Sequence, residues 1–252
     1  MSADEQELTG GNASAGVVRV GNTVRKPWLD TSWAVQGYLA TLRSAGVDVP
    51  RPLGRDERGR AVVEFINGRQ AMDLLPLGSE DLARVGGMIR RIHDASEAFA
   101  IPNPDSWEML LPAEKPDLMC HNDLAPWNLI IGERWVFIDW DGAGPSTRLW
   151  DLAYSAQSFG LLVDGEPVQD AALRLRALVD GYDADASLRA ALPAAMARRT
   201  AAMHRLLESS HQSGFQPWAG MFVNGHGAHW QSAAQYVQRN QKAWADALAP
   251  GD

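Results

Sequence analysis

Two short apolar runs bounded by polar residues constrain the fold of this chain more than any other feature. The runs are residues 129–131 and 136–138, and the segment between them begins with a glycine. This pattern predicts a β-hairpin. Asp123 and Asn128 precede the first run, and Asp139 follows the second. Because the open ends of an antiparallel hairpin lie side by side, the sequence predicts that these three polar side chains converge.

The three converging side chains have the chemistry of a metal site. Two carboxylates and one amide oxygen are hard ligands. Mg²⁺ is usually held by one or two such protein groups together with the phosphates of a substrate. The sequence therefore predicts a magnesium site at the open end of the hairpin, where a phosphate-bearing substrate would also bind.

The spacing of residues around this site resembles a known catalytic loop. Residues 121–124 read HNDL and Asn128 follows, which fits the protein-kinase pattern H-R-D-L-x-x-x-N with Asn122 in place of arginine. Residues 139–141 read DWD and stand where kinases have D-F-G, and residues 151–153 read DLA. On these motifs the chain resembles the kinase-like phosphotransferases, specifically the aminoglycoside phosphotransferase (choline-kinase-like) family.

The resemblance implies an α+β, bilobal protein-kinase-like fold, with a small strand-rich N-lobe and a larger helical C-lobe. The pattern of the chain agrees with this division. Residues 1–68 are predicted to form a reduced nucleotide-binding lobe of short strands and one helix, with a tight turn at Gly21-Asn22. Residues 69–252 are predicted to form the catalytic and substrate-binding lobe, because helical spacing of apolar residues dominates there.

Individual helices are predicted from apolar spacing and from their end signals. The first covers residues 31–45 and ends at Gly46, and another begins at Ser79. Residues 151–210 are predicted to be helical, with breaks near residues 181–183 and at Pro193. A last helix is predicted over residues 229–248. The apolar residues available for one face of the first helix are Trp33, Tyr38, Leu39 and Leu42.

The resemblance also implies a role for each motif residue. Asp123 would be the catalytic base that orients or deprotonates the acceptor hydroxyl. Asn128 and Asp139 would bind the magnesium ions that bridge the phosphates of ATP or GTP. Such catalysis consists mostly of positioning and charge neutralisation. Three further residues are expected to support the site, by bonding to the loop or by shaping the phosphate and acceptor region: His121, Asp141 and Asp151.

The nucleotide end of the site is predicted with one alternative left open. The family usually offers a basic residue to the phosphates from the strand that carries Arg25 and Lys26. In an alternating strand a buried Val24 turns Arg25 to the opposite face. Arg25 is the candidate if the cleft lies on that opposite face, and Lys26 otherwise; Arg25 is slightly favoured. The following helix carries no Glu or Asp to pair with either, and only Gln36 is available.

Two further segments are candidates for nucleotide binding. The family places its adenine site at the backbone of the hinge, which here is Glu64-Phe65-Ile66. Residues 10–16 read GGNASAG and could be a short phosphate-covering loop, although a flexible terminus explains that composition about equally well.

Composition excludes several classes of function. The chain has 31 acidic and 23 basic residues, a net charge of −8 and a pI of about 5.2, which disfavours a nucleic-acid partner. No apolar run approaches the roughly 20 residues of a membrane helix, so no membrane partner is predicted. Cys120 is the one cysteine, which favours a reducing, cytoplasmic location. The oligomeric state stays open.

The acceptor is predicted to be a small hydroxylated molecule, and its class is inferred from charge. Residues 201–252 contain three acidic and three basic residues, a balance that does not suit a polycation and favours a neutral acceptor. Acidic residues near the helix break, Asp180, Asp183 and Asp185, could restore a cationic site. The alternative to an active kinase is a kinase-like protein that binds a ligand without turnover or runs a different reaction in the same cleft.

Overall fold

The N-terminal part of the chain is an antiparallel sheet with a helix packed against it. The computed structural model describes residues 5–8, 16–103 and 107–249. The strands lie in the order β1-β2-β3-β5-β4. The predicted turn at Gly21 is confirmed, with φ +58°, and it joins β2 to β3. The proposed phosphate-covering loop, residues 10–16, lies outside the described residues except for Gly16. The strands are β1 (Glu5–Glu7), β2 (Val18–Val20), β3 (Thr23–Lys26), β4 (Pro52–Arg55) and β5 (Ala61–Glu64).

Helix α1 (Ser32–Ser44) confirms the first predicted helix, and Gly46 with φ +81° follows its end. Its buried face consists of residues at helical spacing: Val35, Tyr38, Leu39 and Leu42. The inclusion of Trp33 in that face was wrong, since its side chain is 55% exposed. Trp33 precedes Val35 by two residues and therefore lies on the other side of the helix.

The central part of the chain supplies the predicted hairpin. Strands β8 (Leu129–Ile131) and β9 (Trp135–Phe137) pair antiparallel, and β6 (Arg69–Gln70) extends this sheet on the β8 side. A separate antiparallel pair joins β7 (Leu118–Cys120) to β10 (Gly144–Ser146). Helix α2 (Ser79–Ser96) begins at the predicted residue and buries Leu82, Val85, Ile89 and Ile92.

The C-terminal part is helical, as predicted, but three details of the prediction were wrong. Residues 160–167, which were predicted to be helical, form a connection between two helices. Pro193 does not break a helix: it is buried inside α5, where its neighbours Leu192 and Ala195 pack into the core. The last predicted helix is divided at Asn240. The predicted break after Tyr182 is confirmed by Asp183, whose φ is +58°. The helices are α3 (Arg148–Phe159), α4 (Val168–Tyr182), α5 (Ala186–Ser213), α6 (Trp218–Met221), α7 (Gly227–Arg239) and α8 (Gln241–Leu248).

Together these parts confirm the predicted α+β class. One large apolar cluster joins α1, α2, the β8–β9 hairpin and the helices α3 to α5, so the strand-rich and helical parts share a core. The division at residue 68 stays a prediction. None of the described helices combines the length and the apolar character that a membrane crossing requires.

Helices α2 and α4 approach each other closely enough for their backbones to touch. A methyl group on Gly86 would lie 2.0 Å from the carbonyl oxygen of Leu178, and one on Gly181 would lie 2.1 Å from that of Ala83. Glycine is therefore required at both positions by space rather than by backbone angle. A methyl group on the neighbouring Gly87 would meet no atom closer than 3.5 Å.

We expect Gly86→Ala to destabilise the protein and Gly87→Ala to be tolerated. The first substitution forces α2 and α4 apart, at a cost of about 1–3 kcal/mol for overpacking. The second gains the better helix propensity of alanine, worth roughly 1 kcal/mol. Chemical denaturation of both variants measures the difference, and equal stabilities would contradict the close packing of α2 on α4.

Candidate active site

The hairpin sets the geometry of the predicted catalytic residues. The N–H of Ile138 donates to the carbonyl oxygen of Asn128 at 2.8 Å. Since Asn128 directly precedes β8 and Ile138 directly precedes Asp139, this bond holds the two open ends of the hairpin side by side. The side-chain amide of Asn128 donates to Asp123 Oδ2 at 2.7 Å and to the Asp123 carbonyl oxygen at 3.0 Å. Asp123 and Asn128, which precede the first strand, thus lie close to the segment before Asp139, which follows the second strand.

Asp123 occupies an environment that disfavours its charged form. Burial of the carboxyl group and the nearby negative charge of Asp139 raise its pKa to about 7, although the side chains of Tyr154 and Trp127 and the charge of Arg199 act in the opposite direction. A carboxyl group with a pKa near neutrality is suited to general acid–base chemistry.

His121 holds the loop in place as a neutral group. Its Nδ1 accepts a hydrogen bond from the N–H of Asp123 at 3.2 Å, so the ring proton is on Nε2, which donates to the carbonyl oxygen of Ile138 at 3.0 Å. Complete burial lowers the pKa of His121 to about 4. The geometry is that of a supporting residue bridging the catalytic loop and the segment before Asp139.

Asn122 joins the catalytic loop to its surroundings from a left-handed backbone conformation, with φ +66°. Its N–H donates to Asp151 Oδ1 at 2.8 Å, and its side-chain amide lies 3.2 Å from the carbonyl oxygens of Gly142 and Gly144. The other oxygen of Asp151 lies 3.0 Å from His93 Nε2. Asp151 is therefore placed behind the loop, where it positions residues rather than contacting a substrate.

The donor set of the predicted metal site fits magnesium. Both hydrogen bonds of the Asn128 amide use its nitrogen, and within the described parts of the chain its oxygen Oδ1 accepts none. Asp139 has φ +59°, and its side chain is 45% exposed, so its carboxylate is accessible. One amide oxygen and one carboxylate are hard ligands of the kind that Mg²⁺ takes together with phosphates.

Lys26, not the favoured Arg25, is the basic residue directed at the site. Lys26 Nζ lies 2.5 Å from Asp141 Oδ1 and 3.8 Å from Asp139 Oδ1. Val24 pairs with Val63, a residue that packs against the core, and Lys26 shares their face of the sheet because it lies two residues from Val24. The cleft is therefore on the face that carries Val24.

Arg25 lies on the opposite face of the sheet, in a groove lined also by Arg55 and Arg60. Gln36, the polar residue noted in α1, bonds in both directions with the backbone of Gly54 and is not the partner of Lys26. The acidic partner of Lys26 comes instead from the segment after β9.

The three hinge residues have different surroundings. The carboxylate of Glu64 accepts from Arg134 at 2.6 Å and from the N–H of Arg51 at 3.0 Å. Phe65 donates its N–H to the carbonyl oxygen of Asn22, and its ring lies 3.8 Å below the guanidinium of Arg19.

Ile66 is the hinge residue with a free backbone, because its N–H and C=O make no hydrogen bond to any described residue. Its side chain packs with Ile130, Val136 and Ile138. This apolar group continues into the hairpin as far as the residue before Asp139, so it connects the hinge to the predicted metal site.

Two residues beside Asp123 were not identified from the sequence. Tyr154, in α3, is buried, and burial together with the charge of Asp123 raises the pKa of its hydroxyl well above the usual range. Arg199, in α5, stacks over the Tyr154 ring at 4.3 Å. Neither residue belongs to the motif, and their distance along the chain from Asp123 left no spacing signal that could have found them.

We expect Asp123→Asn to stabilise the substrate-free protein increasingly as the pH rises. The folded pKa of about 7 lies above the unfolded value of about 4, so the folded state binds the extra proton and wild-type stability falls between these values. Asparagine mimics the protonated carboxyl group. Thermal denaturation from about pH 5 to about pH 8 should therefore show a widening gap between variant and wild type. The exposed Asp170→Asn serves as the control, and a gap independent of pH would contradict the assignment.

Comparison with known proteins agrees with this site. Residues 103–190 match the model of a family described as the phosphotransferase enzyme family. The trifolitoxin immunity protein of Rhizobium leguminosarum bv. trifolii is 31% identical over 197 residues, which cover 71% of this chain and 74% of that protein.

Solved structures show the same fold. A choline/ethanolamine kinase family protein from Mesorhizobium loti aligns with a TM-score of 0.64 at 18% identity, over 97% of this chain and 93% of that chain. An amicoumacin kinase in complex with AMP-PNP and Ca²⁺ aligns with a TM-score of 0.63 at 14% identity, over 100% and 91%. The predicted bilobal protein-kinase-like fold is thus confirmed. Since the motif region matches the family model and the relative is similar over most of both chains, the chain belongs to the phosphotransferase enzyme family, as predicted.

Proposed function

We propose that this enzyme transfers the γ-phosphate of ATP or GTP to a hydroxyl group of a small molecule. The observation that carries the proposal is the convergence of Asp123, Asn128, Asp139 and Lys26, which come from two loops and a strand. Phosphoryl transfer requires a group that orients the attacking hydroxyl and positive charge on the phosphates. Asp123 would orient the attacking hydroxyl. Lys26 and a cation bound by Asn128 and Asp139 would supply the positive charge on the phosphates.

Asp123 is the proposed base. It is held by Asn128, and its N–H is fixed by His121, so its carboxyl group has one orientation. Its pKa of about 7 allows it to accept the proton of an acceptor hydroxyl near neutral pH and to return it to solvent after transfer.

Asn128 Oδ1 and the Asp139 carboxylate are the proposed ligands of Mg²⁺. When bound, the ion would neutralise charge on the phosphates. Among the described residues that we place at this site, Lys26 is the one that adds positive charge to that of the ion. Lys26 would exchange Asp141 for a phosphate oxygen when the nucleotide binds. The free backbone of Ile66 is proposed to bind the purine ring of the nucleotide, which would lie over the apolar surface of Ile130, Val136 and Ile138.

The acceptor is proposed to be a neutral hydroxylated molecule, an antibiotic, toxin or metabolite. The names of the immunity protein and of the amicoumacin kinase fit an antibiotic or toxin as the acceptor. Beside the catalytic loop lies an apolar, aromatic cluster, which reaches Asp123 through Tyr154 and Trp127. Its buried residues are Ala125, Tyr154, Met203, Leu207 and Trp230, and its partly exposed residues include Trp127, Trp218, Met221 and Phe222.

Two of the three acidic residues that could have made a cationic site are used elsewhere. Asp180 pairs with Arg189 at 2.7 Å, and the side chain of Asp185 caps the start of α5. Asp183 ends α4 through its backbone, and the residue is exposed. A polycation in the acceptor region would therefore lack two of these three partners. The buried thiol of Cys120 fits the proposed reducing, cytoplasmic location.

We expect production of a nucleoside diphosphate, ADP from ATP or GDP from GTP, that depends on Mg²⁺ and on a hydroxylated acceptor. The assay screens neutral alcohols, nucleosides, sugars and hydroxylated antibiotics beside kanamycin-like amines at moderate salt. Asp123→Asn should lower kcat by roughly 100-fold while nucleotide affinity is retained, because only the base is lost. Strong turnover of the amines alone would contradict the neutral acceptor. Turnover without nucleotide, or none with any acceptor, would contradict the proposed function.

A second experiment addresses the metal ligands. Asp139→Ala is expected to abolish the enhancement of ATP affinity by Mg²⁺, because a direct ligand of an ion shared with the phosphates is removed. Calorimetry with and without Mg²⁺ measures the enhancement. Asp170→Ala, which removes an exposed carboxylate in α4, is the matched control. Equal enhancement in Asp139→Ala and wild type would show that Asp139 is not a ligand.

A further inference from the structure

Arg199 is a buried arginine that makes no hydrogen bond to a carboxylate of any described residue. Its side chain lies in α5, the residue is 5% exposed, and its Nη1 has no hydrogen-bond partner within the described chain. Its guanidinium stacks 4.3 Å over the ring of Tyr154 and lies 5.7 Å from that of Trp150. Burying a guanidinium costs free energy unless its charge and its N–H groups find partners, so the contacts that Arg199 makes must offset that cost.

The hydrogen bond that Arg199 makes goes to one peptide group, the one between Asn122 and Asp123. Arg199 Nη2 donates to the carbonyl oxygen of Asn122 at 3.3 Å. The N–H of the same peptide belongs to Asp123, and it donates to His121 Nδ1 at 3.2 Å. Both polar atoms of the peptide that precedes the proposed base are therefore held by side chains.

The backbone at this point is held on both sides. Asn122 has φ +66°, in the left-handed region where asparagine is enriched among the residues other than glycine. Asp151 holds the N–H of Asn122 on one side of the residue, and Arg199 holds its carbonyl oxygen on the other. A rotation of the Asn122–Asp123 peptide would break the bonds to Arg199 and His121 and would turn the Asp123 side chain.

The acidic residues near Arg199 favour its positively charged form. The negative charges of Asp123 and Asp151 favour its protonated form and oppose the effect of burial, which lowers its pKa.

We propose that Arg199 is a positioning residue for phosphoryl transfer: it fixes the peptide before Asp123, and through that peptide the orientation of the carboxylate. Its effect on catalysis rests on the proposed function, whereas its effect on the loop does not. A displacement of about 1 Å in a reacting group can lower a rate by roughly 100-fold, so the loss of this contact should appear mainly in kcat.

The test compares Arg199→Met and Arg199→Lys with Arg198→Met, a matched control that removes an exposed arginine from the adjacent position of α5. Steady-state hydrolysis of MgATP, with water as the acceptor, gives kcat and the KM for ATP. Amide hydrogen exchange of the peptide covering residues 119–128 gives the order of the loop in the absence of nucleotide.

For Arg199→Met we expect kcat to fall by about 10- to 100-fold with the KM for ATP changed less than about twofold, and exchange to rise in residues 119–128. Arg199→Lys keeps the charge and a donor, so it should recover part of both losses. Arg198→Met should match wild type. A folded Arg199→Met protein with wild-type kcat and loop exchange would overturn the proposal, as would exchange that rises equally throughout the helices.

The remaining outcomes are also decisive. If wild type does not hydrolyse ATP, the hydrolysis assay gives no support to the proposed function, and faster loop exchange in Arg199→Met still supports the positioning role. If Arg199→Met does not fold, the comparison uses Arg199→Lys, for which lower kcat and faster loop exchange are expected. An Arg199→Lys protein equal to wild type in both measurements would then overturn the proposal.

Discussion

The arrangement of the active site depends on one buried carboxylate, that of Asp151. It stands in the first turn of α3 and uses one oxygen for the N–H of Asn122 and the other for His93 of α2. A carboxylate that is removed from water must keep its hydrogen-bond donors. The catalytic loop, α2 and α3 are therefore held in one relative position, and the left-handed backbone of Asn122 is retained there.

The hairpin formed by β8 and β9 adds the second constraint. A backbone bond between Ile138 and Asn128 keeps the two ends of the hairpin together, and His121 repeats the connection from the loop to the Ile138 carbonyl oxygen. Asp123, Asn128 and Asp139 are thus positioned by the main-chain bonds of the hairpin together with the side chains of Asp151 and His121. The buried rings of His121 and Trp140 pack against each other beneath the loop.

The sequence was sufficient where chemistry and spacing were local. The hairpin, the loop that carries Asp123 and the helices α1 and α2 could be predicted because each is encoded within a short stretch. The choice between Arg25 and Lys26 could not, since it depends on which face of the sheet meets the cleft. Trp33 was misjudged because it lies two residues before Val35 and therefore faces away from the packed side of α1. Pro193 was misjudged because it lies buried inside a helix that continues past it. Arg199 and Tyr154 reach Asp123 only through the packing of α3 and α5.

The contact between Lys26 and Asp141 has a consequence for the order of binding. The amine of Lys26 is paired with the carboxylates of Asp141 and Asp139. In the proposed mechanism a nucleotide without a cation would have to compete with these carboxylates for Lys26, whereas a cation held by Asp139 would weaken their hold on it. Lys26 would thus add to the coupling that a shared ion creates, and metal and nucleotide would each raise the affinity of the protein for the other by the same factor.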